Sequence, residues 1–285
     1  MRLEITGRLS GGLGNQMFQY AAARSLSLKE NAHLQIDIRD SIYSGDREFG
    51  LSHFNLSSGV EILKEGKPLS KLQKIVKRIN GSLYDEPKFE YNPSFELLKA
   101  PKYLRGYYQS EKYFRKYIET IREDFKLIPS EEEKIMNLSA ALIPKHETIS
   151  LHIRRGDYLT AKQINIQGVL NLDYYFNALE IIKGTLDEKP EVCIFTDDIN
   201  WTEENLKLPF PSRIISRHTK RPIEDLILMS HCTHHIIANS TFSWWGAWLN
   251  SSQSKIVVTP KKRFADKLAS KLDIKDLYPD SWIRI

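Results

Sequence analysis

Two adjacent arginines, Arg154 and Arg155, end an apolar run that is predicted to form a β-strand over residues 148–154. Neighbouring residues of a strand point to opposite faces, so one guanidinium can face a ligand while Asp157 pairs with the other. A guanidinium binds phosphate through two parallel hydrogen bonds and keeps its charge at physiological pH. The pattern therefore predicts a diphosphate site, with a purely structural arginine–aspartate pair as the alternative.

A run of amide and hydroxyl side chains follows a second predicted strand, over residues 234–238, and precedes a predicted helix over 243–250. Its members are Asn239, Ser240, Thr241, Phe242 and Ser243. Hydroxyl groups at the start of a helix can cap it, bind phosphate, or do both. The run therefore predicts a second part of the phosphate site, whereas the tryptophans at 244, 245 and 248 are equally compatible with a core role.

A glycine-rich turn, residues 11–16 with the sequence GGLGNQ, joins a predicted strand over 2–9 to a predicted helix over 15–29. Its glycines let the main chain approach a ligand, and the N–H groups of the helix start favour an anion or a sugar oxygen. Met17 stands where the dinucleotide-binding fingerprint needs a third small residue, and no Gly-Lys-Ser/Thr follows as in a Walker loop. A tight turn capped by Asn15 is the alternative.

Two aspartates complete the candidate site. Asp197 follows a predicted strand over 191–196, and Asp225 lies at the start of a predicted helix over 222–231. A carboxylate can accept from two donors at once, as a guanine edge requires, but either residue can instead cap its helix. The spacing of the histidines at 218, 231, 234 and 235 does not predict a metal site.

Short apolar strands alternate with helices, which predicts parallel sheets covered on both faces. A strand is predicted over 33–38 and a helix over 110–125, whereas residues 40–60 and 81–110 show little regular pattern. A further helix is predicted to start at residues 129–133. Pro144, Lys145 and His146 end this helix, so the domain boundary is placed there. Ligands of such sheets bind beyond the carboxyl ends of the strands, where the three motifs above stand.

The composition describes an ordinary globular chain. Its 285 residues suit two α/β halves. The net charge of +5 fits an anionic small ligand and is too weak to indicate nucleic-acid binding. Cys193 and Cys232 are too few and too far apart for a disulfide framework. No run of about 18 apolar residues and no secretory leader is visible, so a cytoplasmic location is expected.

The three motifs GGLGNQMFQYA, HIRRGDY and NSTFSWWGAWL together resemble those of the bacterial α-1,2-fucosyltransferases, glycosyltransferase family 11. The resemblance runs from Gly11 to Leu249 and includes YYQSEKYF from Tyr107 and FTDD from Phe195. It implies an α/β fold of the GT-B class, with two Rossmann-like domains facing a central cleft. Residues 1–145 would bind the acceptor and residues 146–285 GDP-fucose, with a C-terminal tail that is free to pack back on the first domain.

The resemblance also implies a reaction. L-fucose would pass from GDP-β-L-fucose to the 2-hydroxyl of a galactose in an oligosaccharide, with inversion to an α-1,2-fucoside and without a metal or other cofactor. The alternatives are a GDP-fucose transferase of the same fold with another linkage, and a non-catalytic GDP-sugar-binding protein. The implied partners are GDP-fucose and a galactose-terminated glycan, and it stays open whether that glycan is lipid-linked.

Site residues carry over from the resemblance by motif. The implied catalytic residues are Arg154, Asp157 and Asn15, with Arg154 on the β-phosphate. The base is open between Asp157, Asp37 and a loose path with little base assistance. The implied donor-binding residues are His152, Arg154, Arg155, Asp197, Asp225, Asn239, Ser240, Thr241, Phe242, Ser243 and Gly14. The implied acceptor-binding residues are Asn15, Gln16, Asp37, Tyr107 and Gln109.

A basic amphipathic helix is predicted over residues 69–79. Leu69, Leu72, Ile75, Val76 and Ile79 share one face, and the segment also carries lysines and an arginine, Lys64, Lys67, Lys71, Lys74, Lys77 and Arg78. Such a helix can rest on anionic lipid, which would place the protein at the inner face of the cytoplasmic membrane. The alternative is a solvated basic face over a small core.

Overall fold

The computed structural model describes residues 3–45, 48–161, 163–186 and 189–285. The chain forms two compact units. The first contains Met1–Ile128 and Ile274–Leu277, and the second contains Pro129–Asp273 and Tyr278–Ile285. Residue 2, the start of the first predicted strand, lies outside the described residues.

The first unit is built on a five-stranded parallel sheet. Its elements are β1 (Glu4–Arg8), α1 (Leu13–Lys29), β2 (His33–Asp37), α2 (Arg39–Ser44), β3 (Glu61–Leu63), α3 (Lys71–Ile79), β4 (Leu83–Asp85), β5 (Lys102–Arg105) and α4 (Ile118–Asp124). The strand order is β3-β2-β1-β5-β4. Because every pairing is parallel, the carboxyl ends of all five strands lie along one edge.

Helix α1 lies unusually close to strand β1. A Cβ atom added at Gly7 would be 2.7 Å from the Cβ of Ala23, so only a glycine permits this approach. Ala21, Ala22 and Ala23 are fully buried, because small side chains let the helix settle on the sheet. This packing fixes the start of α1 at the carboxyl edge of β1.

The second unit is built on a six-stranded parallel sheet. Its elements are α5 (Pro129–Leu142), β6 (Thr148–Ile153), α6 (Leu172–Lys183), β7 (Glu191–Thr196), α7 (Ile199–Asn205), β8 (Ser212–Ile214), α8 (Pro222–Ser230), β9 (His234–Ile236), α9 (Thr241–Leu249), β10 (Val257–Thr259), α10 (Asp266–Ala269) and β11 (Ile283–Arg284). The strand order is β11-β10-β9-β6-β7-β8, again with parallel pairing throughout.

The tryptophans after β9 belong to the core of the second unit. Trp244, Trp245 and Trp248 are at most 2% exposed, and their rings contact one another at centroid distances between 5.0 and 6.2 Å. Trp282, near the C-terminus, packs on Trp244 at 5.4 Å. Of the two roles left open by the sequence, the structure supports the core role for these rings.

The division between the units lies after Ile128, whereas the break in the sequence places it near residue 145. Helix α5 belongs to the second unit, where Arg221 donates to both carboxylate oxygens of Glu131, at 2.8 and 2.9 Å. The hydroxyl of Ser139 also contacts the ring of His231, at 2.8 Å. The segment 144–146, which begins with a proline, therefore lies in the loop that joins α5 to β6.

The C-terminal tail is shared between the units. Ile274–Leu277 belongs to the first, where the Ser110 hydroxyl donates to the main-chain oxygen of Asp276 at 2.6 Å and Lys112 pairs with its carboxylate. Tyr278–Ile285 belongs to the second and adds β11 to its sheet. Only a short part of the tail thus joins the first unit.

Three stretches of the first unit differ from the sequence prediction. Residues 40–60 contain the end of α2 and a 3-10 turn, Gly50–His53, and residues 81–110 contain β4, β5 and another turn, Pro93–Leu97. The helix predicted over 110–125 is two 3-10 turns followed by the shorter α4. Phe114 and Tyr117 have φ angles of −133° and −127°, which interrupt the helix while Tyr113 and Phe114 become buried.

No helix in the described part of the chain is both long enough and apolar enough to cross a membrane. Among the same residues, no group of three or more histidine, cysteine, aspartate and glutamate side chains is placed to hold a metal ion.

Candidate active site

The topology of the second unit singles out one place on the carboxyl edge of its sheet. From β6 the chain proceeds outward to β7 and β8, then crosses to β9 on the other side of β6. Loops diverge at such a switch point and leave a crevice, which is where open parallel sheets bind ligands. The HIRRGDY motif begins in the last two residues of β6 and continues into the loop, and the run Asn239–Ser243 follows β9 after two residues. The two predicted phosphate motifs therefore flank the switch point.

Arg154 is held between two carboxylates. Its Nη2 lies 2.6 Å from Oδ1 of Asp157, and its Nη1 lies 3.0 Å from Oδ2 of Asp197. The guanidinium also lies 5.3 Å from the ring centre of Tyr158. Its Nε is buried and has no hydrogen-bond partner among the described residues. The side chain is thus fixed by two ion pairs, and its Nε–H donor is unused among the described residues.

The pairing of Asp157 differs from the simplest prediction. The alternation of a strand suggests that Asp157 pairs with the arginine that turns away, but it pairs with Arg154, and Arg155 pairs with Asp198 at 3.3 Å. The guanidinium of Arg155 lies 3.7 Å from the ring centre of Trp201. Asp157 is bonded to Arg154 because the chain turns into a 3-10 helix, Asp157–Leu159, directly after the strand. Arg155 therefore anchors the loop to α7.

Asp197 organises the main chain of the same loop. Its Oδ1 accepts from the main-chain N–H groups of Arg155, at 2.8 Å, and Gly156, at 3.1 Å. A Cβ atom added at Gly156 would lie 2.8 Å from Oδ2 of Asp197, so the glycine is needed for this close approach. The predicted donor-binding residue Asp197 thus holds both the loop and the guanidinium of Arg154.

His152 is a buried and neutral residue of this motif. Burial, and next the positive charge of Arg154, lower the pKa of His152 to about 3. Its ring lies 5.8 Å from the ring of Phe242, and its Nδ1 has no hydrogen-bond partner in the described part of the chain. At neutral pH the imidazole cannot act as a cation for phosphate, so any polar contact it makes is a neutral hydrogen bond.

The run after β9 is buried and partly engaged with itself. Ser240 caps α9, and its Oγ accepts from the N–H of Phe242 at 3.3 Å. Ser243 is 1% exposed and donates to the main-chain oxygen of Ser240 at 3.4 Å. Asn239 donates to the main-chain oxygen of Gln167 at 2.8 Å. Thr241 is the first residue of α9. The hydroxyl groups of Ser240 and Ser243 are therefore already hydrogen-bonded within the run. What the run offers to a ligand is chiefly the N-terminus of α9.

Arg263 is a residue of this site that sequence reasoning missed. It is 5% exposed, and its Nη1 donates to Oε1 of Gln167 at 2.7 Å and to the main-chain oxygen of Asn239. It lies in the run Lys261–Phe264, which reads as a charged surface segment. No local signal distinguishes it from the lysines beside it, because its burial depends on the turn that follows β10.

Buried polar atoms without partners collect at this edge. Besides Nδ1 of His152 and Nε of Arg154, Oδ1 of Asn239 has no hydrogen-bond partner within the described chain. Such atoms are uncommon in folded proteins, and a catalytic role or a bound water or ion is among the reasons for which they occur. All three belong to the motifs predicted to bind the donor.

Asp225 lies in the first turn of α8 and is tied to β7 through a hydroxyl group. Its carboxylate accepts from Ser216 Oγ at 2.7 Å and from Thr219 Oγ1 at 2.6 Å. Ser216 Oγ in turn accepts from the N–H of Thr196 at 2.9 Å. Burial raises the pKa of Asp225 despite these hydrogen bonds. The residue therefore pins the loop before α8, and its role on guanine stays a prediction.

The first unit has its own switch point, between β1 and β5. The chain runs from β1 to β2 on one side and returns to β5 on the other. The glycine-rich turn follows β1, and Tyr107 and Gln109 follow β5. Gln109 donates through Nε2 to Oδ1 of Asn15 at 2.9 Å, which links the two loops across the switch point. Oε1 of Gln109 is buried and has no partner among the described residues.

Two glutamines after β1 hold this edge together. Gln16 donates to the main-chain oxygens of Gly11 and Glu48, at 3.0 and 2.8 Å, and accepts from Gly50 N at 3.0 Å. Both of its donors are therefore used on the main chain. Gln19, which the sequence prediction omits, accepts from Ser10 N at 2.8 Å and donates to the main-chain oxygen of Gly106 at 3.1 Å.

Gly14 is a buried residue in the first turn of α1, directly beside Asn15. The resemblance assigns it to the donor. It belongs to the first unit, whereas the other predicted donor-binding residues belong to the second. Its role in donor binding stays a prediction.

Asp37 is fully engaged as an ion-pair partner. Arg39 donates to both of its carboxylate oxygens, at 2.9 and 2.7 Å, and Tyr103 donates to Oδ2 at 2.8 Å. Burial alone would raise the pKa of Asp37, but the hydrogen bonds from Arg39 and Tyr103 outweigh it, so the pKa lies below its usual value. A carboxylate held in this way is a weak base, which argues against Asp37 as the proton acceptor.

Glu86 is a second residue that the sequence did not indicate. It directly follows β4 and accepts from the main-chain N–H groups of Tyr107 and Tyr108, at 2.7 and 3.0 Å. Burial raises its pKa. Tyr108 has a φ of +52°, so Glu86 holds the loop that carries Tyr107 and Gln109 in an uncommon conformation. The Tyr107 side chain is 47% exposed at this edge.

Comparison with known sequences identifies relatives over the whole chain. A family model described as Glycosyl transferase family 11 matches residues 2–285. The chain is 34% identical to the O-antigen biosynthesis glycosyltransferase WbnK of Escherichia coli, over 97% of this chain and 99% of that protein. It is 31% identical to an alpha-1,2-colitosyltransferase of Escherichia coli, over 99% and 98% of the two chains.

A mammalian relative is more distant. The galactoside alpha-(1,2)-fucosyltransferase 1 of Mus musculus is 26% identical, over 84% of this chain and 61% of that protein.

Comparison with solved structures addresses the fold. The NodZ alpha-1,6-fucosyltransferase, soaked with GDP-fucose, superposes with a TM-score of 0.53 at 17% identity, over 87% of this chain and 93% of that chain. A variant of Arabidopsis thaliana FUT1 in complex with GDP gives a TM-score of 0.56 at 12% identity, over 99% and 76%. Together with the two parallel sheets, these likenesses confirm the predicted GT-B class of α/β fold.

Proposed function

This chain belongs to glycosyltransferase family 11, and we propose that it transfers L-fucose from GDP-β-L-fucose to the 2-hydroxyl of a β-linked galactose. The product is an α-1,2-fucoside. The observation that carries the proposal is the position of Arg154, a fixed guanidinium at the switch point of the second sheet. Its own Nε, Nδ1 of His152 and Oδ1 of Asn239 are buried polar atoms of the two flanking motifs that have no partner among the described residues. The relatives named for α-1,2 transfer support the linkage.

The proposed chemistry is a displacement at the anomeric carbon. The 2-hydroxyl oxygen of the acceptor forms a bond to C1 of fucose from the face opposite GDP, the bond from C1 to the β-phosphate oxygen breaks, and the hydroxyl proton passes to solvent water. Negative charge grows on the departing diphosphate. A fixed cation stabilises this charge more in the transition state than in the ground state, which is the condition for catalysis. In this proposal Arg154 supplies the cation and no divalent metal is needed.

The proposal places little demand on a general base. Asp157 is bonded to Arg154 at 2.6 Å, and Asp37 is bonded to Arg39 and Tyr103. A base must reach the acceptor hydroxyl with an oxygen that is free to take its proton. Because both predicted candidates are engaged, we propose a loose, oxocarbenium-like path in which stabilisation of the leaving group dominates.

Colitose is a second candidate for the transferred sugar. The 31% identity to an alpha-1,2-colitosyltransferase over nearly the whole chain supports it. Competition between GDP-fucose and GDP-colitose, measured as the ratio of kcat/KM values, decides between the two sugars. A preference for GDP-colitose would overturn the fucose assignment while leaving the role of Arg154 intact.

The acceptor is proposed to bind at the carboxyl edge of the first sheet. Replacing Gln109 by alanine removes its hydrogen bond to Asn15. We expect the acceptor KM to rise by up to about tenfold, which corresponds to the net free energy of one hydrogen bond. The KM for GDP-fucose should not change. The matched control is Gln35→Ala, which removes an amide bonded to Thr6 on the same sheet. A rise in the GDP-fucose KM alone would contradict the assignment.

Analysis of the product tests the proposal as a whole. The protein is incubated with GDP-fucose and a panel of β-galactosides, with and without a chelator, and the linkage is located by NMR. We expect an α-1,2-fucoside at the same rate in both conditions. Another linkage would support a different transferase of this fold, and GDP binding without turnover would support a non-catalytic protein. A rate that collapses with chelator and returns with a divalent metal would refute metal independence.

A further inference from the structure

The apolar face of helix α3 points to solvent. Leu72, Ile75, Val76 and Ile79 follow the spacing of a single helical face and are 70%, 48%, 52% and 83% exposed. No residue of α3 is buried. Contiguous exposed apolar side chains of this kind commonly mark a surface that contacts a membrane or another protein.

The basic face of the same helix is turned toward the rest of the first unit, to which the helix belongs. Lys74 and Lys77 lie opposite the apolar residues on the helix and are half-buried. The Nζ of Lys77 lies 5.9 Å from the ring centre of Tyr103, and its main-chain oxygen accepts from Ser82 at 3.4 Å. A surface helix of a globular protein ordinarily buries its apolar stripe and exposes its charges. The orientation of α3 is the reverse.

Local interactions keep α3 folded without burial of that stripe. Ser70 and Gln73 form a reciprocal capping box, in which Gln73 N donates to Ser70 Oγ and Ser70 N donates to Gln73 Oε1. At the other end, Arg78 pairs with Asp85 at 2.6 Å. The exposed apolar face is therefore presented on a helix with defined ends.

The charge of the protein is concentrated around this helix. Residues 64–82 contain six basic residues and one acidic residue, a net charge of +5. The remainder of the chain contains 35 basic and 35 acidic residues, so this segment accounts for the whole net charge. A strongly basic segment with an apolar face is complementary to a surface that is anionic outside and apolar within.

We propose that α3 and its flanking lysines form a docking surface for an anionic lipid bilayer. Leu72, Ile75, Val76 and Ile79 enter the boundary between headgroups and acyl chains. The exposed lysines, Lys64, Lys67 and Lys71, extend to the lipid phosphates. A second copy of the chain is a poorer occupant, because two such surfaces would bring charges of +5 together.

Membrane docking would bring the enzyme to acceptors that are carried on lipid. This consequence rests on the proposed function, whereas docking itself does not. Vesicle binding needs neither GDP-fucose nor an acceptor, so a failure of docking and a failure of the proposed transfer are separate results.

Flotation of the full-length protein with vesicles tests the docking surface. We expect binding to phosphatidylcholine vesicles with about 30% phosphatidylglycerol at low ionic strength, weak binding to pure phosphatidylcholine, and loss of most binding in about 0.5 M salt. The double variant Leu72→Ser, Ile79→Ser and the double variant Lys67→Gln, Lys71→Gln should each bind at least tenfold more weakly.

The matched control is Leu97→Ser with Met136→Ser, which removes two exposed apolar side chains, 77% and 53% exposed, outside α3. This control should float as the unchanged protein does. Docking is refuted if the unchanged protein does not float at low salt, or if the α3 variants and the control float equally. A dimer in solution that the Leu72→Ser, Ile79→Ser variant abolishes would also refute it, because a second copy would then cover the face.

Discussion

Replacement of Arg154 by alanine is expected to lower kcat for sugar transfer by about 100- to 1,000-fold, the effect of losing one preorganised donor to a developing anion. The guanidinium is 25% exposed and fixed by Asp157 and Asp197, so it needs no reorganisation when charge appears on the departing diphosphate. Its removal also leaves two carboxylates next to the predicted phosphate position. The loss should therefore fall on kcat more than on the KM for GDP-fucose.

Replacement by lysine separates charge from geometry. Lysine keeps the positive charge but loses the planar fork that binds Asp157, Asp197 and a phosphate in fixed directions. We expect Arg154→Lys to recover only part of the lost rate, because an ammonium group cannot occupy all three directions at once. Full recovery would indicate that charge alone matters and that the hydrogen-bond geometry of Arg154 does not.

Arg213→Ala is the matched control for both variants. Arg213 is another arginine of the second unit and pairs with Glu191, the first residue of β7, at the amino end of that strand. Its loss should leave turnover unchanged. All five tryptophans of the chain lie in the second unit, so their fluorescence reports whether that unit remains folded in each variant. Normal turnover in a folded Arg154→Ala protein would refute the phosphate role.

The sequence predicted that the three motifs follow strands, as they do in the structure, because that inference depends only on order along the chain. Parallel strands bring their carboxyl ends to one edge, so the motifs after β6 and β9 had to lie near each other once those strands paired. The same reasoning applied to the glycine-rich turn after β1 and to Gln109 after β5, whose side chains are bonded at 2.9 Å.

Partner choice could not be predicted in the same way. Asp157 pairs with Arg154 and not with Arg155, because a 3-10 turn follows the strand and strand alternation no longer applies. Arg263 and Glu86 have no local pattern, since each is bonded to a loop from another part of its own unit.

The short strands of the first unit escaped prediction for a related reason. β4 and β5 have only three and four residues, too few for alternation to be recognised. Helix α3 was predicted correctly as amphipathic, but its orientation depends on the lysine contacts with the sheet. Periodicity defines a face and does not say which way that face turns.

Acidification from pH 7 to pH 5 is expected to destabilise the second unit through two buried histidines. Burial first, then Arg154, lowers the pKa of His152 to about 3, and burial first, then Lys255 and His234, lowers the pKa of His235 to about 3. Both pKa values lie below the ordinary value of 6.5, so the unfolded chain takes up protons before the folded one. Stability is therefore present above pH 6.5 and is lost as the pH falls toward 3.

Each histidine should lower the free energy of unfolding by about 2 kcal/mol at pH 5, because pH 5 lies about 1.5 units below the pKa of the ring in the unfolded chain while the folded ring stays neutral. Asp225 acts in the opposite direction, because its raised pKa means that protonation on acidification relieves the cost of its burial. Burial also lowers the pKa of His231 and of His234, which adds to the fall, so a histidine variant is needed to isolate one contribution.

The measurement follows urea unfolding by tryptophan fluorescence at pH 7 and pH 5, which reports on the second unit alone. His235→Gln removes a titrating ring that contacts Ser150 and Asn250, at 2.8 and 3.1 Å. The variant should be less stable at pH 7, but its further loss at pH 5 should be about 2 kcal/mol smaller than that of the unchanged protein. His146→Gln, the same substitution at an exposed histidine, is the matched control. An equal pH dependence in the His235→Gln and unchanged proteins would mean that the buried ring is protonated in the folded state as readily as in the unfolded one.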